Sequence, residues 1–156
     1  PLIERAGNIT NQGSISAVYT VLVEGDDFNE PISDNMRSIL DGHIMLDRTL
    51  ASSSHYPAID VLHSISRLSK FLVTKAQQKK ALKIRSLIAC FEESREMIEM
   101  GLYIKNSNRD IDMAIALKND IAEFLKQSED DLSSWAATWN KLEKLYDKIG
   151  GAENVH

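Results

Sequence analysis

Few side chains in this sequence have the types and spacing that metal or thiol chemistry requires. The four histidines are scattered singly and lack the spacing of a metal-binding motif. The one cysteine, Cys90, lies in an apolar helical pattern, which favours a small buried thiol over a nucleophile. No disulfide can form within the chain, and this fits a reducing cytoplasm. Metal coordination and cysteine catalysis are therefore disfavoured.

Three loop features carry polar or aromatic groups of more interest. The turn formed by residues 25–33 is acidic, and its composition alone favours a solvated loop. Tyr56 precedes a proline, which disfavours helix there and places an aromatic ring on a stiff loop, where it can simply anchor that loop. A lone arginine such as Arg67 most often pairs with a carboxylate, for example Asp60. None of these features identifies a chemistry without its context.

Length and composition indicate a folded protein without a membrane span. The chain has 156 residues, 43% hydrophobic and 26% charged, which is enough to bury a core and close to the average for globular proteins. No apolar run approaches the roughly 20 residues of a spanning helix. The formal net charge of -5 argues against a nucleic-acid partner. One basic cluster is interpreted mainly as a solvated helix face: Lys75, Lys79, Lys80, Lys83 and Arg85.

The first part of the chain contains two segments that are typical of β-strands. Residues 14–24 are rich in β-branched and aromatic residues and bounded by glycines, which predicts a buried strand. Residues 43–46 are predicted to form a second, short strand. Two strands alone make a poor sheet, so we expect residues 1–70 to belong to a larger, mostly parallel sheet.

Short helices are predicted between these strands. Ser33 or Asp34 is expected to cap a helix that ends before Gly42. Asp47 is expected to cap another helix, which runs through Leu50. This alternation of strands and helices indicates an α/β arrangement.

From Thr74 onward the apolar period becomes helical, and three helices are predicted. The first should be ended by Gly101. The second is expected to be capped by Asp110, and the third is expected to begin near Ser133. The apolar residues of the first helix do not keep a heptad, so packing as a bundle is preferred to a coiled coil. Gly150 opens a tail that is predicted to be flexible.

Four motifs, in a fixed order and spacing, resemble one protein family. They span residues 23–32, 37–44, 55–60 and 64–67, and they read VEGDDFNEPI, RSILDGHI, HYPAID and SISR. This set closely resembles the flagellar and type III secretion export ATPases, which are relatives of the α and β subunits of rotary ATP synthases. A weaker likeness continues through residues 101–115.

The resemblance implies a mixed α/β but mostly helical chain. Residues 1–70 would be the C-terminal part of a RecA-like nucleotide domain, residues 71–149 a helical C-terminal domain and residues 150–156 a flexible tail. The sequence begins at Pro1 without an initiator methionine, so we expect it to be a piece of a longer protein.

The resemblance also implies roles at a nucleotide site. In that family the nucleotide lies at a subunit interface, and Arg67 matches the arginine finger that reaches the γ-phosphate of the neighbouring subunit's ATP. Tyr56 matches the aromatic residue that packs on the adenine ring. Phe124 is a weaker candidate for another wall of the adenine pocket, because its helical spacing also fits a core residue.

Partners follow from the same resemblance. Asp26, Asn29 and Glu30 match a loop that faces a coiled-coil stalk protein, where their oxygens can bind basic residues. The family implies a homo-hexamer at the cytoplasmic face of the bacterial inner membrane. It also implies contacts with a regulatory stator-like protein, export chaperones and cargo, and the export gate.

Parts of the family's active site are missing from these 156 residues. There is no Gly-x-x-x-x-Gly-Lys-Ser/Thr loop to cradle phosphates and no apolar strand ending in the Asp expected near Mg²⁺. The family's catalytic glutamate lies upstream of this segment. ATP and Mg²⁺ are therefore expected in the intact enzyme, and neither is expected to bind this chain alone, which should be inactive.

Two alternatives stay open from the sequence. The chain resembles rotary ATP synthase subunits less well than export ATPases, and flagellar members cannot be separated from those of injectisomes. The other alternative is a non-catalytic helical module that docks chaperone–cargo complexes or a stalk protein. An upstream phosphate-binding loop in the parent protein would favour the enzyme.

Overall fold

The structure is a computed structural model that describes residues 6–10, 13–23 and 30–153. The chain divides into two compact units, residues 1–40 and residues 41–156. The second unit contains strands as well as helices, and the domain boundary expected near residue 70 stays a prediction.

The first unit contains a short antiparallel strand pair and one helix. Strand β1 (Gly7–Ile9) pairs with β2 (Gly13–Ile15). Residues 16–23 have no regular structure, and Leu22 is almost fully exposed. The prediction of a strand over residues 14–24 is therefore wrong for 16–23, and residue 24 lies outside the described residues. The physical reason is that a strand needs a partner for its hydrogen bonds, and no described strand pairs with this segment.

Helix α1 (Pro31–Ile39) begins earlier than predicted. Its N-cap is Glu30, and Pro31 stands at the first helical position, where the fixed φ of proline favours helix. The predicted cap at Ser33 or Asp34 is wrong because both residues already lie inside the first turn. The predicted end before Gly42 is confirmed.

The second unit opens with an antiparallel strand pair. Strand β3 (Gly42–Leu46) pairs with β4 (Ile59–Ser66), and helix α2 (Arg48–Ser52) lies between them in the chain. The side chain of Asp47 caps α2 by accepting the N–H of Leu50 at 2.9 Å, as predicted. Strand β4 was missed because polar residues interrupt its apolar alternation. Both strand pairs among the described residues are antiparallel, and the larger, mostly parallel sheet to which residues 1–70 are expected to belong stays a prediction.

Four helices complete the second unit: α3 (Ser69–Leu72), α4 (Lys75–Glu99), α5 (Arg109–Leu125) and α6 (Trp135–Glu153). A capping box starts α4, in which the Thr74 side chain and the Gln77 side chain each bond the other residue's backbone N–H. Gly101 adopts a φ of +69° after the helix ends, a conformation that favours glycine. Both predicted limits of this helix are confirmed.

The ends of the last two helices differ slightly from their predictions. Asn108, not Asp110, caps α5, because its side chain accepts the N–H groups of Asp110 and Ile111. Helix α6 begins two residues after Ser133. It also continues through Gly150 to Glu153. Residues 154–156 lie outside the described part, and the flexibility of the tail stays a prediction.

The core of the second unit lies among α4, α5 and α6. Leu87 is its most buried large side chain, and Cys90 packs half-buried against it. Burial raises the pKa of the Cys90 thiol, and Asp110 and Glu93 add to the effect, so the inert thiol predicted is supported. Bundle packing is confirmed by the core residues: Ile84, Leu87, Phe91, Met113, Ala114, Leu117, Ile121, Leu142, Leu145 and Ile149.

Candidate functional site

Arg67 lies directly after β4, at the end of the strand pair. Its backbone N–H donates a hydrogen bond of 2.8 Å to the carbonyl of Asp41, the residue that precedes β3. The side chain is exposed. The strand pair therefore fixes the backbone of an exposed arginine.

Gly42 allows the two strands to approach closely beside Arg67. It pairs with Ser66, and a Cβ atom at position 42 would lie 2.5 Å from the carbonyl oxygen of Ile65. No side chain fits at that distance, which gives the glycine of the RSILDGHI motif a physical role. It sets the spacing of the strands one residue before Arg67.

Strand β4 contains a bulge. His43 pairs with Ile65, and Met45 pairs with Asp60. The chain therefore advances by two residues along β3 but by five residues along β4 between these two pairs. The extra residues lie within 61–64, which we call the β4 bulge. Because a bulge interrupts the ladder, its backbone groups must find partners other than the opposite strand.

His43 Nε2 lies 3.0 Å from the carbonyl of His63, and three other side chains supply further partners. The Asp60 carboxylate accepts the backbone N–H groups of Leu62 and His63 at 2.9 and 3.0 Å. The Ser64 hydroxyl donates to the carbonyl of Asp60 at 2.5 Å. The Arg85 guanidinium, from α4, donates to the carbonyls of Leu62 and Ser64 at 2.6 and 3.2 Å. The β4 bulge is thus fixed by side chains of both the strand and a helix.

Asp60 also contacts the ring of His63, with Oδ2 and Nδ1 2.6 Å apart, and this contact is an ion pair when the imidazole is protonated. Burial pushes the pKa of Asp60 upward, but hydrogen bonds from His63 and Leu62 and the positive charge of His63 outweigh burial and lower the pKa. The Asp60 carboxylate therefore belongs to the hydrogen-bond network of the β4 bulge.

Tyr56 lies on the loop between α2 and β4, and its side chain is 58% exposed. Its carbonyl accepts the N–H of Gln127 at 2.9 Å, which ties the loop to the segment after α5. The ring borders a polar groove of about 460 Å³. The groove is lined by Ser54, Tyr56, Glu123, Lys126, Gln127, Ser128, Asp131 and Lys141.

His55 precedes this ring and is half-buried. Burial lowers the pKa of His55, and the positive charge of Lys126 lowers it further. The imidazole is therefore neutral at pH 7, and the positive charge beside the groove comes from the lysines.

Phe124 does not line the groove beside Tyr56. It is half-buried and packs against the core of the helical bundle. The structure therefore gives Phe124 a packing role, and its contact with adenine stays a prediction.

Of the three residues predicted to bind a partner, only Glu30 lies among the described residues. Asp26 and Asn29 fall outside them. Glu30 is the N-cap of α1, where its carbonyl accepts the N–H of Asp34 at 3.0 Å and its side chain makes no capping bond. The carboxylate is not used to cap the helix, and its role toward a partner stays a prediction.

Comparisons with known proteins place the chain in a family. A family model described as "ATP synthase alpha/beta family, nucleotide-binding domain" matches residues 1–66, and one described as "T3SS EscN ATPase C-terminal domain" matches residues 73–144. The "Flagellum-specific ATP synthase" of Bacillus subtilis is 47% identical over 130 residues, which cover 83% of this chain and 30% of that protein. The chain belongs to the flagellar and type III secretion ATPases. It spans about a third of the length of the curated relatives it matches.

Another curated relative and two solved structures of this ATPase family are also similar to the chain. The "Type 3 secretion system ATPase" of Sinorhizobium fredii is 44% identical over 144 residues, which cover 92% of this chain and 32% of that protein. The solved structure of the assembled ATPase EscN from the enteropathogenic E. coli type III secretion system gives a TM-score of 0.88 at 42% identity, over 93% of this chain and 35% of EscN. The solved structure of EscN in complex with its central stalk EscO gives a TM-score of 0.83 at 40% identity, over 93% of this chain and 34% of that EscN chain. The predicted fold and family resemblance are therefore confirmed.

The sequence did not reveal the residues that shape the β4 bulge. Arg85 was read as part of a solvated basic face, but that interpretation holds only for Lys75 and Lys79, which are exposed. Lys80 pairs with Glu143 at 2.6 Å and Lys83 with Asp110 at 2.9 Å, while Arg85 bonds the bulge. No local signal separates these three cations from their neighbours, because their partners are distant in sequence.

Proposed function

We propose that this chain is the C-terminal region of a subunit of an ATP-hydrolysing protein-export ATPase. In the intact protein, hydrolysis in a ring of six subunits would drive or assist delivery of export substrates. The observation that carries this proposal is the position of Arg67, an exposed residue whose backbone is held by the strand pair. Family membership supports the same conclusion.

Arg67 would act on ATP held by the neighbouring subunit. A planar guanidinium stabilises negative charge that develops on the transferring phosphoryl oxygens. In other nucleotide hydrolases such an arginine contributes a factor on the order of 10³–10⁵ to turnover. A fixed backbone matters because this effect depends on the position of the charge.

The residues around Tyr56 fit the adenine end of ATP. The exposed ring can stack on a purine, and the groove beside it offers amide and hydroxyl groups to the edge of the base. When bound, ATP supplies the phosphoryl group that is transferred to water, and Mg²⁺ neutralises its charge. Phe124 as a second adenine contact is retained as a proposal.

Tyr56 and Arg67 flank opposite ends of β4. The paired residues span four steps of β3, from Gly42 to Leu46, or about 13 Å at roughly 3.3 Å per residue. In the ring, Tyr56 would contact the subunit's own nucleotide and Arg67 that of its neighbour. The 156 residues include no Gly-x-x-x-x-Gly-Lys-Ser/Thr segment, so the chain alone is expected to hydrolyse no ATP.

Partners and location are part of the proposal. Asp26, Asn29 and Glu30 would face a coiled-coil stalk protein, and the solved complex of EscN with its central stalk EscO supports such a partner. A regulatory stator-like protein, export chaperones, cargo and the export gate complete the set. No described helix is long and apolar enough to cross a membrane. The intact protein would work at the cytoplasmic face of the bacterial inner membrane.

The test is turnover of the intact ATPase with Arg67→Ala against wild type, at concentrations where rings assemble. We expect turnover to fall by at least about 10³-fold while ATP binding and assembly are retained. Arg95→Ala is the matched control, because Arg95 is an exposed arginine that pairs with Glu92 on its own helix at 2.6 Å. Unchanged turnover in Arg67→Ala would remove this residue from the mechanism.

A second candidate function is docking without catalysis. The connection between α4 and α5 exposes three apolar side chains, Met100, Leu102 and Ile104, which favours contact with a stalk or a chaperone–cargo complex. A Leu102→Asp/Ile104→Asp variant is expected to lose binding to such a partner and keep its basal ATPase activity. The control is Leu132→Asp, at an exposed apolar position elsewhere. Equal binding by both variants would exclude this surface.

A further inference from the structure

The Arg85 guanidinium donates hydrogen bonds to backbone carbonyls. It is half-buried on α4, and its two terminal nitrogens bond the carbonyl oxygens of Leu62 and Ser64. It forms no ion pair with any described residue. A guanidinium presents its donors in a rigid planar fork, so it fixes the two acceptors relative to each other. Its role is therefore to hold the shape of a backbone segment.

That segment needs an external partner. The β4 bulge leaves the ladder with β3, so the carbonyls of Leu62 and Ser64 lack partners in the opposite strand. Both residues are partly buried, and a carbonyl shielded from water without a hydrogen-bond partner costs free energy. Arg85 supplies both bonds from a different element, which Asp60 and Ser64 within the strand do not.

The bulge is close enough to Arg67 to set its position. The ladder resumes for only two residues, Ile65 opposite His43 and Ser66 opposite Gly42. Arg67 follows, with its N–H on the Asp41 carbonyl. A change in the path of the bulge must therefore be absorbed by two paired residues or passed to Arg67.

We infer that Arg85 is a positioning residue for Arg67: by bonding the β4 bulge from α4, it sets where the arginine finger stands. This inference rests on the proposed function of Arg67. Arg85 itself touches no nucleotide in this scheme and acts only through the strand. It also couples the helical bundle to the catalytic arginine, because α4 packs in the bundle core through Leu87 and Ile84.

The alternative is that Arg85 only attaches α4 to the strand pair. In that case its loss would lower stability or assembly, and its effect on turnover would add to that of Arg67→Ala. A positioning role predicts the opposite, because two residues that act through one group are not additive. The two explanations therefore differ in a double-mutant cycle.

The first experiment measures backbone exchange without nucleotide. In the intact ATPase, Arg85→Met keeps the length of the side chain and removes its donors. Hydrogen–deuterium exchange over residues 59–67 is expected to rise by about tenfold, with α5 and α6 unchanged. Arg95→Met, on the same helix, should leave residues 59–67 as in wild type. Unchanged exchange over residues 59–67 in Arg85→Met would overturn the inference.

The second experiment measures turnover of the same variants. Arg85→Met is expected to lower kcat by about 10- to 100-fold, the range of a displacement of roughly 1 Å, with KM for ATP changed by less than about twofold. In the Arg67→Ala background the same substitution should lower kcat no further. Arg85→Lys, which keeps the charge and one donor group, should fall between wild type and Arg85→Met and serves as the test if the Met variant does not assemble.

The outcomes separate the two proposals. If Arg67→Ala lowers turnover but Arg85→Met does not, or lowers it equally in both backgrounds, the positioning role is refuted and the proposed function stands. If Arg67→Ala leaves turnover unchanged, the arginine finger itself fails, and the role of Arg85 fails with it.

Discussion

Gly42→Ala perturbs the strand pair at the point that matters most for the proposed mechanism. The added Cβ would lie 2.5 Å from the Ile65 carbonyl oxygen and 3.2 Å from the Ser66 Cα. Both atoms belong to the backbone, so no side-chain rotation relieves the contact. To reach an ordinary contact of 3.4 Å, the two strands must separate by about 0.9 Å at the residue before Arg67.

The consequence for turnover follows from this displacement. A misplacement of about 1 Å at a catalytic group costs on the order of 10²-fold in rate, and overpacking costs about 1–3 kcal/mol of unfolding free energy. We therefore expect Gly42→Ala to lower kcat of the intact ATPase by roughly 10- to 100-fold while KM for ATP changes little. The loss should be smaller than that of Arg67→Ala.

The assay compares Gly42→Ala with a glycine that has room for a side chain. A Cβ at Gly150, inside α6, meets no atom within 4 Å. Gly150→Ala is expected to leave kcat unchanged and to stabilise the helix by up to about 1 kcal/mol. If Gly42→Ala retains wild-type kcat and stability, the close approach of β3 and β4 does not position Arg67, and the reasoning is refuted.

Three further predictions follow from the same structure. Leu87→Ala, at a core position that is 1% exposed, should lower the free energy of unfolding in urea by about 2–5 kcal/mol. Leu82→Ala, at a position that is 58% exposed, should change it by less than about 0.5 kcal/mol. Equal losses of stability in the two variants would contradict the packing of the core. Tyr56→Ala should raise KM for ATP more than it changes kcat, whereas Tyr56→Phe should behave like wild type. An unchanged KM in the alanine variant would show that the ring does not contact adenine. Because folding lowers the pKa of Asp60, its stabilisation is complete above the ordinary Asp pKa of about 4 and is lost as pH falls through the folded pKa. Asp60→Asn should therefore destabilise the protein at pH 7 and weaken the acid dependence below about pH 5, and parallel stability curves would argue against this.

Local signals explain which parts of the fold could be predicted. Thr74 and Gly101 mark the ends of α4 because a capping side chain and a left-handed glycine act within a few residues. Asp47 caps α2 for the same reason. Strand β4 was missed because polar residues interrupt the apolar alternation on which strand prediction depends. The strand predicted after Ile15 failed because composition cannot supply a partner strand.

The candidate site divides in a similar way. Arg67 and Tyr56 were identified from motifs, and the structure adds that both are exposed on backbone held by hydrogen bonds to distant residues. Phe124 was the weaker candidate, and its packing against the bundle agrees with the helical spacing noted in the sequence. Arg85 carried no signal, because it follows several lysines on the same helix and its acceptors lie more than 20 residues away.

The sequence by itself determined the family, the helical period of the second half and the identity of the exposed arginine, since each depends on residue types at short spacing. Only the tertiary structure decided how that arginine is held. The spacing of β3 and β4 at Gly42, the path of the β4 bulge and the bonds from Arg85 depend on groups that meet only after the chain folds. The sequence does not reveal which backbone carbonyls lack a partner in the strand pair, or which distant guanidinium bonds them. This part of the site could therefore be described only from the tertiary structure.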